Sequence, residues 1–199
     1  MSDDQRPRAR TAGRPRSQEA DLAILSAALD LLIEQGAQQT SIEQVARRAG
    51  VTRATVYRRF ADKTALLVRT LEWADHDHDP ALTGWRDLEH LFADWGRYLA
   101  VPRNRRLLRR LYGSRDDHPE LLETWRKVNG GRRAAAVRDV LVRARESGRL
   151  PAALDVDVVQ EVLTAAVMLH VGTHPDDEEP KRIAAYFMAI IDQFGHRAH

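Results

Sequence analysis

Apolar residues recur at helical spacing along most of the chain, and short polar breaks separate one such stripe from the next. The first stripe begins after Ser17, a candidate N-cap residue, and ends at Gly36, because glycine is typical of the position just past a helix. Its members are Leu22, Leu25, Leu29, Leu32 and Ile33. The pattern predicts one amphipathic helix over this segment.

A second, shorter helix is marked by its N-terminal residues. Ser41 and Gln44 have the spacing of a capping box, and so do Thr40 and Glu43. Gly50 ends the helix, which we expect to bury four apolar residues, Ile42, Val45, Ala46 and Ala49.

A third helix follows almost at once, because only Val51 separates Gly50 from Thr52, the next candidate N-cap. This helix turns Val56 and Phe60 inward. Asp62 then caps a fourth helix, which carries Leu66, Leu67 and Leu71.

The remaining stripes predict helices to the end of the chain, after a run from Asp75 to Pro80 that is typical of a loop. We expect a long helix from about Pro119 to Glu146, ending at Gly148. Apolar helices follow from Asp155 to about Val171 and from Pro180 to about Phe194. Two further stripes are Leu88, Leu91, Phe92, Trp95, Tyr98 and Leu99, and Leu107, Leu108, Leu111 and Tyr112. Period-two alternation is nowhere sustained, so the predicted fold class is all-α.

Composition excludes several classes of protein. The 199 residues contain no cysteine, which rules out disulfide scaffolds, zinc ribbons, iron–sulfur clusters and thiol nucleophiles. The longest uncharged stretch in the apolar C-terminal part, Val162 to Pro175, is shorter than the roughly 20 apolar residues that span a bilayer. The N-terminus is polar and rich in arginine, without the apolar core of a secretory signal. We therefore expect a soluble cytoplasmic protein without a membrane partner.

The net charge of +2 hides an asymmetry. Residues 1–70 carry 12 Lys and Arg against 8 Asp and Glu, whereas residues 71–199 carry 19 against 21. Five arginines precede residue 17, and no acidic residue lies between Glu43 and Asp62. A basic end of this kind favours an anionic partner.

Residues 41–60 have the pattern of a helix–turn–helix, in which the second helix lies in a DNA major groove. Gly50 permits the positive φ that the tight turn requires. The polar residues that the second helix keeps off its buried face include no acid, which suits contact with phosphates and base edges.

The string from Gly50 to Phe60, GVTRATVYRRF, followed by Lys63 and Leu66-Leu67, resembles the DNA-binding domain of the TetR family of bacterial transcriptional regulators. The resemblance covers about residues 17–75. It implies an N-terminal three-helix DNA-binding domain joined by a linking helix to a C-terminal helical domain for effector binding and dimerisation. The expected division is a disordered basic arm at 1–16, the DNA-binding domain at 17–75 and the effector domain at 76–199.

The resemblance implies roles for individual residues. Arg53 and Thr55 would meet bases and phosphates, Tyr57 would reach the DNA backbone, and Lys63 would bind another phosphate as a point charge. The complete expected DNA-contacting set is Thr40, Ser41, Thr52, Arg53, Ala54, Thr55, Tyr57, Arg58, Arg59 and Lys63.

The N-terminal arm adds a second candidate DNA contact. Gly13-Arg14-Pro15-Arg16 is similar to the core of an AT-hook, an extended segment whose arginines enter a narrow minor groove. We expect Arg14 and Arg16 to act in this way. The alternative is a solubilising tail with incidental charge.

Dimerisation is expected because one recognition helix reads too few base pairs for useful specificity. The helix from Asp155 is apolar around much of its circumference and needs cover on two sides. Packed with the last helix against a second copy, it would form the four-helix bundle typical of the family. The expected interface is Val159, Val162, Ala166, Phe187, Ile190, Ile191 and Phe194; the alternative is an ordinary monomer core.

Five aromatic residues lie on or near the middle helices: Trp85, Trp95, Tyr98, Tyr112 and Trp125. Such side chains suit the wall of a pocket for an apolar or planar effector, although aromatics at helical spacing are also typical of plain core. The expected ligand-binding residues are Trp95, Tyr98, Tyr112, Trp125 and His170. By resemblance, the protein is a homodimeric repressor that a small-molecule effector releases from a palindromic operator in double-stranded DNA. No other cofactor and no metal are expected.

Two alternatives to the ligand-released repressor remain at this point. One is an activator, or an effector-independent DNA-binding protein, of the same fold. The other is a metal-dependent all-α hydrolase that uses the cluster around His76 and His78. No nucleophile elbow, P-loop or dinucleotide fingerprint supports catalysis, so we expect no enzyme.

Overall fold

The computed structural model describes residues 15–76 and 84–197. This part of the chain is helical without strands, which confirms the all-α prediction. Its helices are α1 (Pro15–Gln35), α2 (Ile42–Arg48), α3 (Arg53–Tyr57), α4 (Lys63–His76), α5 (Leu88–Leu99), α6 (Pro102–Gly113), α7 (Pro119–Trp125), α8 (Gly131–Glu146), α9 (Val156–Thr173) and α10 (Pro180–Gln193).

Helix α1 is the centre of the N-terminal part and packs against α2, α4 and α6. It begins at Pro15, so the expectation of Ser17 as its N-cap is wrong. Proline is favoured in the first turn of a helix because its missing N–H has no partner there in any case. Leu22 is 46% exposed and lies off the core face, whereas Leu25, Leu32 and Ile33 are buried as expected.

The long helix expected over 119–146 is present as one helical run, but it is not uniform. A five-residue π-helical segment, Arg126–Gly130, joins α7 to α8. The run from Asn129 to Gly131 consists of weak helix formers, which lowers the cost of widening the helix there. The expected loop from Asp75 is wrong in its first two residues, since α4 continues through His76.

Helices α5 and α10 make the most intimate contact of the C-terminal part. The rings of Phe92 and Phe187 stack with centroids 5.8 Å apart, and Trp95 meets Phe187 edge-on at 5.0 Å. Helix α9 is long and apolar enough to cross a membrane by length and composition alone. It packs instead against α6, α8 and α10 as a helix of the core.

Two contacts connect the N-terminal helices to the rest. Helix α6 lies on α1, where Arg103 pairs with Asp30 at 2.7 Å and Arg110 Nη2 donates to the Glu34 carbonyl at 2.9 Å. Helix α4 packs against α7 and the π segment. The C-terminal helices therefore contact the N-terminal helices through α6 and α4.

Candidate DNA-binding surface and effector cavity

In the helix–turn–helix, backbone N–H groups at the helix ends form hydrogen bonds with side chains that are near in sequence. Ser41 is the N-cap of α2: its Oγ accepts from the Gln44 N–H at 3.2 Å, and the Gln44 side chain accepts from the Ser41 N–H at 2.9 Å. This confirms the capping box at Ser41. Gly50 follows α2 with φ of +67°, a conformation that glycine adopts without a steric penalty.

Helix α3 presents a cationic face to solvent. Val56 is fully buried and fixes the orientation of the helix, so the residues on its opposite side point outward. Arg53, Ala54, Tyr57 and Arg58 are all exposed, and half of the Tyr57 surface is accessible. We name these four residues the recognition face.

Hydroxyl groups near the recognition face are partly engaged by the protein itself. Thr52 caps α3 through its Oγ1, which accepts from the Thr55 N–H at 3.2 Å, and the two threonine hydroxyls lie 2.9 Å apart.

Lys63 Nζ donates to the carbonyls of Ala37 at 2.9 Å and Gln38 at 3.4 Å. An ammonium has three N–H donors, so these two hydrogen bonds leave one N–H of Lys63 available.

Two of the expected DNA contacts are wrong. Thr40 is buried, and its hydroxyl donates to the Gly36 carbonyl at 2.8 Å, so it closes the turn after α1. Arg59 forms an ion pair with Asp21 of α1 and donates to the Thr55 carbonyl at 3.0 Å. This arginine therefore ties α3 to α1, and its side chain is only 17% exposed.

Two arginines in and beside the recognition face lie near glutamates. Arg53 lies 3.8 Å from Glu43 across the turn, with both side chains more than half exposed. Arg48 pairs with Glu34 at 2.8 Å, which supports a structural role for this arginine on α2.

The two arginines expected to act as a minor-groove arm have different outcomes. Arg14 lies outside the described residues, and Arg16 belongs to the first turn of α1 rather than to an extended arm.

A cavity of about 540 Å³ lies between the middle helices. Four of the five expected ligand-binding residues line it: Trp95, Tyr98, Tyr112 and Trp125. Trp85, the fifth aromatic residue of the pattern, lines it too. The pattern missed the rest of the wall, in which Leu108, Val137, Val167 and Met168 add apolar surface and Asp94, Arg126, Arg133, Gln160 and Thr164 add polar groups.

The charged groups of the cavity differ in their surroundings. Asp94 accepts from the Trp85 indole N–H at 2.7 Å and pairs with Arg97 on its other oxygen. Arg126 and Arg133 instead lie over aromatic rings, Arg126 at 5.9 Å from the Tyr112 centroid and Arg133 at 5.3 Å from that of Tyr98. These distances are within the range of cation–π attraction.

Comparison with known families assigns both parts of the chain. The model described as "Bacterial regulatory proteins, tetR family" matches residues 24–70, and "Tetracyclin repressor-like, C-terminal domain" matches residues 83–188. The second match alone covers more than half of the 199 residues. The chain belongs to the TetR family. It is a DNA-binding transcriptional regulator, a class of protein that is not enzymatic.

Individual TetR-family relatives agree with this assignment. The HTH-type transcriptional regulator YdeS of Bacillus subtilis (strain 168) is 28% identical over 149 residues, 73% of this chain and 75% of YdeS. EthR of Mycobacterium tuberculosis is 36% identical over 76 residues, 38% of this chain and 35% of EthR. The crystal structure of MexZ, a repressor of Pseudomonas aeruginosa, shares the fold with a TM-score of 0.67 at 24% identity, covering 89% of this chain and 95% of MexZ.

His170 of this TetR-family protein does not line the cavity, so its assignment to ligand binding is wrong. It is fully buried at the end of α9, where Arg105 Nη1 lies 3.2 Å from its Nδ1. A guanidinium can only donate, so Nδ1 accepts and the proton of the neutral ring is on Nε2, which faces Glu178 Oε2 at 3.1 Å. Burial lowers the pKa of His170, and the nearby His174 and Arg105 lower it further.

The same cluster is the candidate metal site of the described residues. His170, His174 and Glu178 offer ligand atoms that all lie within 4.8 Å of one another. The guanidinium of Arg105 opposes a divalent cation there, because like charges repel at this distance.

The other candidate metal site was the histidine cluster considered for a hydrolase. His76 ends α4, and His78 lies outside the described residues. The expected absence of a metal stays a prediction.

The expected dimer interface needs correction. Val159, Ala166, Phe187 and Ile191 are buried within the single chain, so a partner cannot contact them. Val162 is 37% exposed, and Ile190 and Phe194 are half-buried. The large exposed apolar residues of α9 are Val158, Val162 and Leu169, which recur at intervals of four and seven residues and so share one stripe. We name these three residues the α9 stripe.

Proposed function

We propose that this TetR-family protein is a cytoplasmic homodimeric repressor that binds a palindromic operator through α3 and leaves it when a small molecule occupies the cavity. The observation that carries the DNA-binding part is the recognition face, where Arg53, Tyr57 and Arg58 project from a helix whose other side is fixed by buried Val56. Phosphate and base edges both favour donors and cations of this kind.

The proposed function divides the chain into three parts. We propose that residues 17–75 form the DNA-binding domain, that residues 76–199 form the effector and dimerisation domain, and that residues 1–16 act as a basic arm. The start of α1 at Pro15 moves the helical boundary slightly into this arm. The activator alternative differs only in the sign of the response, which transcription from the regulated promoter would decide.

Selection from a random library of duplex DNA tests the DNA-binding proposal, because the library contains every candidate operator sequence. We expect wild-type protein to enrich a palindrome whose half-sites are about one helical turn apart. Substituting Arg58→Gln should then weaken binding to that duplex by about tenfold or more, since a lost base or phosphate contact costs roughly 1–3 kcal/mol. Fluorescence anisotropy measures the change.

The matched control is Arg115→Gln, which removes an exposed arginine from the loop after α6. We expect this variant to bind within about twofold of wild type at the same salt concentration, because the DNA-binding affinity depends on the local contacts of α3. Enrichment of no sequence, or an Arg58→Gln variant that binds like wild type, would contradict the proposal.

The α9 stripe supports the dimer proposal. Three large apolar side chains on one face, with exposures from 37% to 59%, form a surface that a symmetric partner helix can cover. Helix α10, which contacts α9, carries the small exposed residues Ala185 and Ala189. A partner can therefore approach both helices closely, as a four-helix interface requires.

Light scattering tests this surface. We expect wild-type protein to have twice the 22.6 kDa mass of one chain, and the double variant Val162→Glu/Leu169→Glu to be monomeric, because each glutamate would be desolvated in the interface. Val101→Glu, at a 44% exposed valine before α6, is the control and should remain dimeric. A monomeric wild type or a dimeric double variant would overturn this assignment.

The coupling between ligand and operator is proposed to pass through α4. The cavity wall includes Trp125 and Arg126, and the helical segments that carry them pack directly on α4. Helix α4 follows α3 after five residues, so a shift of α4 changes the position of the recognition face. Operator and effector would then weaken each other's binding by the same factor.

A further inference from the structure

We propose that the cavity takes an amphipathic organic anion, an aromatic or otherwise apolar body with one carboxylate or sulfonate group, whose charge is bound by Arg133 and Arg126. This inference rests on the proposed function, because it specifies the chemical class of the effector for the same cavity. Three features of the cavity support it: the apolar wall, the polar groups that already have hydrogen-bond partners, and two arginines that form no ion pair with any acid among the described residues.

The cavity selects an apolar body of moderate size. Its volume of about 540 Å³ is within the usual range for small-molecule sites. The wall combines indole and phenol rings with aliphatic side chains from α6, α8 and α9. Aromatic surface of this kind favours a planar ligand, since rings pack face to edge or offset against one another.

Three polar side chains of the wall, Asp94, Gln160 and Thr164, already have partners within the protein. Asp94 accepts from Trp85 at 2.7 Å and pairs with Arg97, so its charge is compensated. Gln160 donates to the Ala134 carbonyl at 3.0 Å, and the Thr164 hydroxyl donates to the Gln160 carbonyl at 2.8 Å. A neutral polar ligand would have to compete with these hydrogen bonds.

The two remaining cationic groups have no acidic partner in the described part of the chain. Arg126 and Arg133 contact the faces of Tyr112 and Tyr98, and neither forms an ion pair with a described residue. Stacking on a ring orients a guanidinium but leaves its N–H edge free to donate. A carboxylate or sulfonate accepts two parallel hydrogen bonds from such an edge, which a neutral ligand cannot do as strongly.

The positions of Arg126 and Arg133 favour a ligand whose apolar end enters the cavity first and whose anionic group follows. Arg126 is exposed and Arg133 is half-buried, whereas Trp85, Leu108 and Val137 are buried deeper in the wall. The apolar body would occupy the interior while the anionic group stays near the entrance. This arrangement avoids the large penalty of burying an unpaired charge.

A matched pair of fluorescent probes tests the proposal. 8-Anilinonaphthalene-1-sulfonate and N-phenyl-1-naphthylamine share the same ring system and differ in the sulfonate. We expect the double variant Arg126→Gln/Arg133→Gln to weaken binding of the sulfonate probe by about tenfold or more, corresponding to the loss of about 1.4 kcal/mol. Binding of the neutral probe should stay within about twofold of wild type.

Two controls locate the effect. Arg132→Gln removes a neighbouring exposed arginine that does not line the cavity, and we expect both probes to bind as in wild type. Thr164→Trp places a large ring in the cavity, and it should abolish binding of both probes if they bind there and not on the α9 stripe. The melting temperature of each variant shows that it is folded.

The outcomes separate this inference from the proposed function. Equal weakening of both probes, or no weakening, in the double variant would overturn the preference for an anion, as would probe binding that survives Thr164→Trp. Binding of the selected duplex without any probe is measured in parallel, and the proposed DNA contacts include neither Arg126 nor Arg133. A loss of probe selectivity with intact DNA binding therefore contradicts only the ligand class.

Discussion

Replacing Arg105 by methionine is expected to lower the free energy of unfolding by about 2–4 kcal/mol, because charge-assisted hydrogen bonds are lost and a buried acceptor is left unsatisfied. Arg105 is fully buried. Its Nε donates to Asp176 at 3.1 Å, and its Nη2 donates to the carbonyls of His170 at 3.1 Å and His174 at 2.8 Å. Nη1 reaches His170 Nδ1 at 3.2 Å and the Leu99 carbonyl at 3.5 Å.

All five N–H groups of this guanidinium are therefore used. Carbonyls at helix C-termini have no intrahelical partner, so Arg105 caps the end of α5 through Leu99 and the end of α9 through His174. It adds a second hydrogen bond to the His170 carbonyl, which also accepts from the His174 N–H at 3.0 Å. Methionine fills a similar volume but donates no hydrogen bond, so the Leu99 and His174 carbonyls lose the partner that Arg105 provides, whereas the His170 carbonyl keeps the His174 N–H. Asp176 keeps Arg109, whose two hydrogen bonds at 2.8 and 2.7 Å help to hold the pKa of its carboxyl below the ordinary value.

Urea denaturation at a fixed protein concentration measures the loss, because dimer stability depends on concentration. Arg106→Met is the matched control, since Arg106 is the next residue of α6 and is exposed. We expect the control to change the free energy of unfolding by less than about 0.5 kcal/mol. Arg105→Lys should still be destabilised, because an ammonium has three donors in place of five. A loss below about 1 kcal/mol for Arg105→Met would show that the network adds little net stability.

Substituting Gly96→Ala is expected to destabilise the protein by about 3 kcal/mol, at the upper end of the range for overpacking. A Cβ atom at Gly96 would lie 2.2 Å from the Pro180 carbonyl oxygen and 3.1 Å from its carbon. Both are backbone atoms at the start of α10, so no side chain can rotate away. The helices α5 and α10 would have to separate, and the ring contacts among Phe92, Trp95 and Phe187 would loosen with them.

Gly113→Ala is the control for this substitution. Gly113 ends α6, and a Cβ atom there would meet nothing within 4 Å. Because alanine favours the helix over glycine by up to about 1 kcal/mol, we expect this variant to be as stable as wild type or slightly more stable. Calorimetry compares the two variants directly. A Gly96→Ala protein that melts at the wild-type temperature would show that α5 and α10 do not need this close approach.

The sequence by itself determined the helix–turn–helix, because its signals are local. The Ser41 capping box, the positive φ of Gly50 and the Thr52 N-cap each depend on residues within three or four positions, and all three are present in the structure. The helices of the C-terminal part were also predictable from the helical spacing of their apolar residues alone. Their ends differ by a few residues, as at Pro15 and Thr173, since helix termini depend on weak local preferences.

Only the tertiary structure decided which side of each helix faces the core. Helix α9 is apolar on several sides, so periodicity could not separate buried Val159 and Ala166 from exposed Val158 and Leu169. Polar residues pose the same problem. Arg59 meets an aspartate 38 positions away and Arg105 meets a histidine 65 positions away, so neither burial has a local signal. The cavity arginines were missed for this reason too, because contact between residues distant in the chain depends on how the helices pack.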